Sequence, residues 1–248
     1  MRLSKSALQL YQKCPYSYYL KYIKGIRGEP SQAMSDGLYF HDKADDFFDD
    51  VSLRELAELD SIFAIERYIR SLLPTDRIPH IFDHFSHQQT VFYINLNNKE
   101  DFIPLEREIK LDVMEITGKP APEHILDVGI IDWIGCVDKK IVLGEYKTGK
   151  FRQGINQELM MYKDLVEHAT DYKINKICAI YPAELYGTKL PSGIYYKSPS
   201  HATPARNKVI DTKEKIRAKR WRSKHHSPLC AWCDGADHCF KNEMEVKA

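Results

Sequence analysis

An α/β fold, a mixed central β-sheet flanked by helices, is what this sequence predicts, on three observations. The first 90 residues carry apolar side chains mostly at helical spacing. From Thr90 to Thr148 the chain breaks into short segments rich in β-branched and aromatic residues, separated by turn signals such as NNKED, TGKPAPE and DKK. A helical pattern and an apolar strand pattern then follow each other, as a crossover connection requires. This order fits one domain over 1–248, with a mainly helical part to residue 90, a core over 91–185, and a basic, cysteine-rich segment over 186–248.

In chain order, Ser4 is placed to cap a first helix on which Ala7, Leu8 and Tyr11 recur. Pro15 breaks that helix near Cys14, and Tyr16, Tyr18, Tyr19 and Tyr22 follow. After a linker containing Gly and Pro, SQAMSDGLYFHDKADDFFDD reads as a helix with His41 near its start. Leu53, Leu56, Leu59, Ile62, Ile65, Ile69 and Leu72 predict one amphipathic helix over 53–73, closed by Pro74. Four strands, mainly antiparallel, are predicted in TVFYINL, FIPLEREIKLDV, ILDVGIIDWIGCV and KIVLGEYKT. FRQGINQELMMYKDLVEHA is a helix and KICAIYPA a further strand; Tyr186–Pro204 is a poorly ordered loop, and the basic helix covers Arg206–His226.

At 248 residues, 43% of them hydrophobic, the chain can bury a sizeable core without disulfides. No apolar run approaches the roughly 18 residues of a membrane span, and the N-terminus lacks the apolar core of a secretion signal. The expectation is a cytoplasmic protein with no membrane partner. Net charge, +1, averages an acidic stretch from Asp42 to Asp60 with the basic stretch from Arg206 to His226. The latter can track a phosphate backbone or simply form a solvated face.

The chemistry concentrates in VLGEYKTGK, where Glu145 and Lys147, two apart on a strand, share a face. The hairpin around DKK brings Asp132 beside Glu145 across the ladder. Two adjacent carboxylates repel unless a positive charge offsets them, so the pair calls for a divalent metal, magnesium or manganese by its oxygen ligands. An imidazole from His41 would favour manganese. Asp127 falls on the opposite face of its strand from Asp132. Glu106 and Glu108 share a face on the preceding strand and receive no role.

The ordered set GLYFH (His41), GIIDWIG (Asp132), EYK (Glu145, Lys147) and a following helix with Tyr162 resembles the PD-(D/E)XK nuclease superfamily. Within it the resemblance is to the RecB-like branch, with CRISPR-associated iron-sulfur exonucleases and AddB-type nuclease domains, and it runs from LSKSALQLYQKCPY to Cys239. It implies a restriction-endonuclease-like core with a helical N-terminal insertion and a C-terminal iron-sulfur segment. It also implies that His41, Asp132, Glu145 and the carbonyl of Tyr146 hold the metal, with Lys147 orienting the attacking water. Related nucleases carry Gln four residues before the Tyr; here Glu158 has that spacing to Tyr162, and Gln157 is turned about 100° away. The implied substrate is DNA, preferentially single-stranded ends. Tyr18, Tyr19 or Tyr22 would stack on bases, and Lys215, Arg217, Arg220 and Arg222 would contact phosphates. The implied setting is recombination, repair or CRISPR adaptation, alone or as a trimming subunit of a larger complex; a non-catalytic binding module is the competing class.

Cys230, Cys233 and Cys239 stand as C-x2-C-x5-C, with Cys14 far upstream. In a reducing compartment, close thiols point to a metal centre, and four cysteines suit zinc as well as iron. The resemblance carries the same one-plus-three arrangement and so implies a 4Fe-4S cluster stapling the first helix to the tail. Cys136 and Cys178 lie in apolar strand patterns and are expected to be buried and inert.

Overall fold

The computed structural model describes residues 2–150, 154–184, 194–197 and 203–239. Helix α1 (Lys5–Lys13) starts where Ser4 accepts a hydrogen bond from the Ala7 N–H and ends at extended Cys14. Pro15 then opens the short α2 (Pro15–Tyr18), which continues into a π-helical turn, Tyr19–Ile23. Next come α3 (Gln32–Asp50), α4 (Leu53–Glu58), α5 (Ile62–Ser71) and α6 (Pro79–Asn95). Strand β1 (Glu106–Asp112), the one-turn α7 (Val113–Thr117), β2 (Val128–Val137) and β3 (Lys140–Tyr146) follow. Helix α8 (Ile155–Ala169) crosses to β4 (Lys176–Ile180), and β5 (Ile194–Lys197) and α9 (Thr203–Arg217) complete the order.

The sheet has the order β1-β2-β3-β4-β5. Only the β3–β4 pair is parallel, as the α8 crossover demands; the others are antiparallel. Alternation sorts its side chains into two cores. Leu143, Ile177 and Ala179 pack toward α1, α8 and α9 with Leu8, Leu159, Val166 and Val209. Val142, Tyr146, Cys178 and Ile180 pack toward α3, α5 and α6 with Phe40, Phe47, Ile69, Phe82 and Phe85. Helices therefore flank both faces of a mixed sheet, the layering of a restriction-endonuclease-like core. The alternation fails once, on β2: Ile131 and Ile134, an odd number of residues apart, share one core, while Trp133 enters the other. The irregularity brackets Asp132, and Glu108 on β1 has a left-handed φ of 44°.

Several expectations are corrected. TVFYINL is not a strand: Phe82, Phe85, Gln89 and Tyr93 are buried along α6, so burial at helical spacing overrides β-propensity. The helix over 53–73 is two, because Ser61 caps α5 through the Ala64 N–H and Ile62 is exposed. His41 sits at mid-helix rather than near the start of α3. The basic helix ends at Arg217, and Lys219 takes a left-handed φ of 54°, so Arg220 and Arg222 lie beyond it. The segment read as a loop from Tyr186 to Pro204 contains β5 and the start of α9; residues 185–193 and 198–202 lie outside the described residues. Residues 151–153 of the predicted FRQGINQELMMYKDLVEHA helix also lie outside them. Cys178 is buried as expected, whereas Cys136 is only half-buried. Among the described residues no helix is long and apolar enough to cross a membrane.

Candidate active site

Trp133 pairs with Gly144 at the end of the β2–β3 ladder, which leaves Asp132 and Glu145 each one residue beyond that last pair. Both carboxylates are buried, at 8% and 4% exposure. The N–H of Tyr146 donates to Oδ2 of Asp132 at 2.6 Å. The Tyr146 ring anchors the strand end among Phe40 and Phe85, with centroids 5.8 and 5.6 Å away. On the other side of the irregular β2 turn, α3 projects His41, whose Nδ1 lies 3.3 Å from Oδ1 of Asp132 and 3.6 Å from Oε1 of Glu108. Ligand atoms of His41, Glu108 and Asp132 all lie within 4.8 Å of one another. One imidazole and two carboxylates at that spacing form a donor set for a divalent cation.

Glu145 stands just outside this group, because its Oε1 is held by Lys147 at 2.6 Å and by Lys5 at 2.8 Å. Its Oε2 is buried with no hydrogen-bond partner. An orphaned carboxylate oxygen beside an imidazole and two further acids fits a divalent cation at this place. Glu158 faces the same place, its Oε2 3.5 Å from Lys147 and 3.7 Å from Lys5. Gln157 turns away to Lys208 on α9, so within an unbroken helix it is Glu158 that faces the site. Tyr162, one turn on, is buried, packs near Gly129 of β2, and lies under the Lys5 ammonium, 4.6 Å from its ring centroid.

The charges respond to this crowding. Burial and the neighbouring Glu145 push the Asp132 carboxyl above its usual range, against the pull of His41. Burial opposes ionisation of Glu145 too, but Lys5 and Lys147 draw its carboxyl below the usual range. Burial disfavours a charged His41, yet its interactions with the accepting carboxylates of Asp132 and Glu108 prevail and raise it to about 10. Burial together with the nearby Glu145 and Asp132 carboxylates pushes the Tyr162 phenol strongly up, so it is neutral.

The other sequence candidates separate. Asp127 is structural, accepting from the Leu3 N–H at 2.7 Å and from Lys213 at 2.8 Å. Glu106 accepts from Tyr172 at 3.0 Å. Lys215 pairs with Asp211 at 2.8 Å and Arg217 with Glu123 at 2.7 Å, while Arg220 and Arg222 are exposed. Tyr18 is buried and Tyr19 stacks on Trp221, so neither offers a free face for a base, whereas Tyr22 is 38% exposed. Tyr22 borders a groove of about 580 Å³ that also meets Lys5, Lys110, Ile130 and Tyr162. Sequence reasoning gave no role to Lys5 or Glu108. The alternation of Glu106 and Glu108 flagged the latter, but Lys5 had no signal beyond its place in the first turn of α1.

Cys14, Cys230, Cys233 and Cys239 line one cavity of about 210 Å³ between α2 and the C-terminal segment. The walls are also tied directly, by the Tyr16 N–H to the Ser223 carbonyl at 3.1 Å and by Lys224 to the Cys239 carbonyl at 3.1 Å.

A mixed sheet with an acid pair facing across its central hairpin, an imidazole over one acid and a lysine beside the other, defines a class: the metal-dependent nucleases of α/β architecture. The chain belongs to the PD-(D/E)XK nuclease superfamily, whose sequence pattern it matches over residues 2–240. Metal-dependent cleavage of nucleic acid, with DNA as substrate, is the activity that membership implies. No curated protein matches the chain.

Proposed function

We infer that this protein is a metal-dependent DNA exonuclease that hydrolyses phosphodiester bonds at single-stranded or frayed ends. One observation carries its metal dependence, the buried, unpartnered Oε2 of Glu145 beside the His41, Glu108 and Asp132 donors; the preference for single-stranded ends rests on the resemblance to the RecB-like branch. His41, Asp132 and Glu145, with the Tyr146 carbonyl, would hold manganese or magnesium, and Glu108 joins them. The ion, when bound, supplies Lewis acidity toward water and phosphoryl oxygen at neutral pH. Lys147 cannot ligate, since an ammonium has no lone pair; it orients the attacking water and offsets charge on the phosphoryl oxygens. Tyr162 stays neutral and supports Lys5 from below. The groove past Tyr22 admits a single strand with base stacking. Arg220 and Arg222 are the freer phosphate contacts of the four predicted; Lys215 and Arg217 must first leave their acids.

The four-thiol cavity is read as the seat of a 4Fe-4S cluster of structural role. Two features support that reading: the four thiols line one cavity of about 210 Å³, and their one-plus-three spacing is the one carried by the iron-sulfur nucleases that the sequence resembles.

A second reading keeps the chemistry but makes the protein a trimming subunit of a recombination or CRISPR adaptation complex. It is favoured by Ile62 and Phe63 at the start of α5, large apolar side chains left 53% and 83% exposed.

The test is digestion of end-labelled single- and double-stranded DNA with manganese, magnesium or chelator, set against Glu145→Ala. Equal activity of the two proteins in every metal would falsify the enzyme reading and leave a binding module. Circular single strands separate exonuclease from endonuclease action. Anaerobic protein should absorb near 400 nm if the cavity holds iron.

A further inference from the structure

The first turn of α1 delivers to the site a cation that His41, Asp132, Glu145 and Lys147 do not account for. The Lys5 ammonium lies 2.8 Å from Oε1 of Glu145, the oxygen that Lys147 holds at 2.6 Å from the other side. Its side chain is only 12% exposed. The two ammonium groups are bridged a second time by Oε2 of Glu158, 3.7 Å from Lys5 and 3.5 Å from Lys147. Two like charges this close need anions between them. The two anions differ in commitment. Glu145 is buried and hydrogen-bonded to both lysines, whereas Glu158 is 28% exposed and stands beyond normal hydrogen-bond length from either.

A nonbridging phosphodiester oxygen has the charge and the acceptor chemistry of that loosely held carboxylate oxygen. Lys5 also borders the groove of Tyr22, Lys110 and Ile130, through which a strand can reach it from solvent. Resting on the nuclease reading above, we propose that Lys5 is a further catalytic residue. Its ammonium and that of Lys147 grip one nonbridging oxygen of the scissile phosphate, in the place where Glu158 now bridges them. Lys5 serves the phosphate rather than the metal, because its charge repels a divalent ion and it offers no lone pair.

The test uses the full-length protein with its metals. Single-turnover cleavage of end-labelled single-stranded DNA is measured alongside manganese affinity, the latter from the electron paramagnetic resonance signal of free Mn2+. Lys5→Met should slow cleavage by more than about tenfold, toward the roughly 100-fold scale of losing one charge-stabilising donor. Its manganese affinity should stay equal or tighten, since a repelling charge has gone. Lys5→Arg, which keeps the charge, should recover to within about tenfold of the unaltered rate. A Lys5→Met rate within about tenfold of the unaltered protein overturns the inference. So does a loss of manganese affinity that matches the rate loss, because Lys5 would then merely support the ligands. If Lys5→Met does not fold by circular dichroism, Lys5→Gln carries the same comparison. Absence of cleavage by the unaltered protein in every metal removes the nuclease reading and this inference with it; full activity with an indifferent Lys5 removes only the inference.

Discussion

The indole of Trp133 lies across Gly144 on the neighbouring strand, so close that a β-carbon on Gly144 would sit 1.8 Å from the ring. The pair fixes the register that sets Asp132 against Glu145, one residue further along.

Gly144→Ala should therefore destabilise the fold by about 1–3 kcal/mol through overpacking, since both strands are buried and neither can shift freely. Thermal unfolding reads the loss. Trp133→Leu in the same chain should recover part of it, and a strictly additive double variant would mean that the indole is not the obstacle.

Glu108→Ala should weaken manganese binding by roughly 10–100-fold while leaving the melting temperature nearly unchanged, as expected for a carboxylate that bears on the ion and not on packing. Titration of the metal separates this from Glu106→Ala, whose side chain bonds Tyr172 instead. Equal affinities in the two variants would return Glu108 to the role of an ordinary strand-edge acid.

Metal binding should release a proton from His41. With the imidazole raised to about 10 by Asp132 and Glu108, it is protonated at neutral pH, whereas a ligating imidazole must be neutral. Manganese affinity should consequently rise with pH, by about tenfold per unit for one displaced proton. Calorimetry in buffers of different ionisation enthalpy counts that proton. In chelator-treated protein the sign for stability is opposite: the charged His41 pairing contributes fully below its ordinary value of 6.5 and is lost as pH rises through about 10.

Cys14→Ser should cost iron and lower the melting temperature by roughly 10 °C, the shift that about 3 kcal/mol produces at this chain length. Cys136→Ser, half-buried and away from the cavity, provides the control. Retained iron in the Cys14 variant would show that the upstream thiol is not a ligand.

The Glu145–Lys147 pair is legible because alternation on β3 is regular, and the DKK turn places Asp132 on the neighbouring strand; the irregularity that brackets Asp132 on β2 has no sequence signal. Tertiary context hid the rest. Residues 90–96 look like a strand in isolation, and only their continuation from Phe82 and Phe85 makes them helical as far as Asn95. Glu108 enters the site at a left-handed φ that no residue pattern announces. Lys5 reaches Glu145 across 140 residues of sequence, a contact that follows from helix docking alone. Glu158 rather than Gln157 shares a face with Tyr162 because α8 is a regular helix and one turn separates the two.

Helix α1 has one end in each of two distant chemistries: Lys5 opens it beside Glu145, and Cys14 closes it at the thiol-lined cavity. Nine residues of helix make a stiff strut about 13 Å long. One short, rigid element thus spans the distance between the thiol-lined cavity and the buried Glu145 carboxylate, so a substitution at either end of α1 bears on the placement of the other.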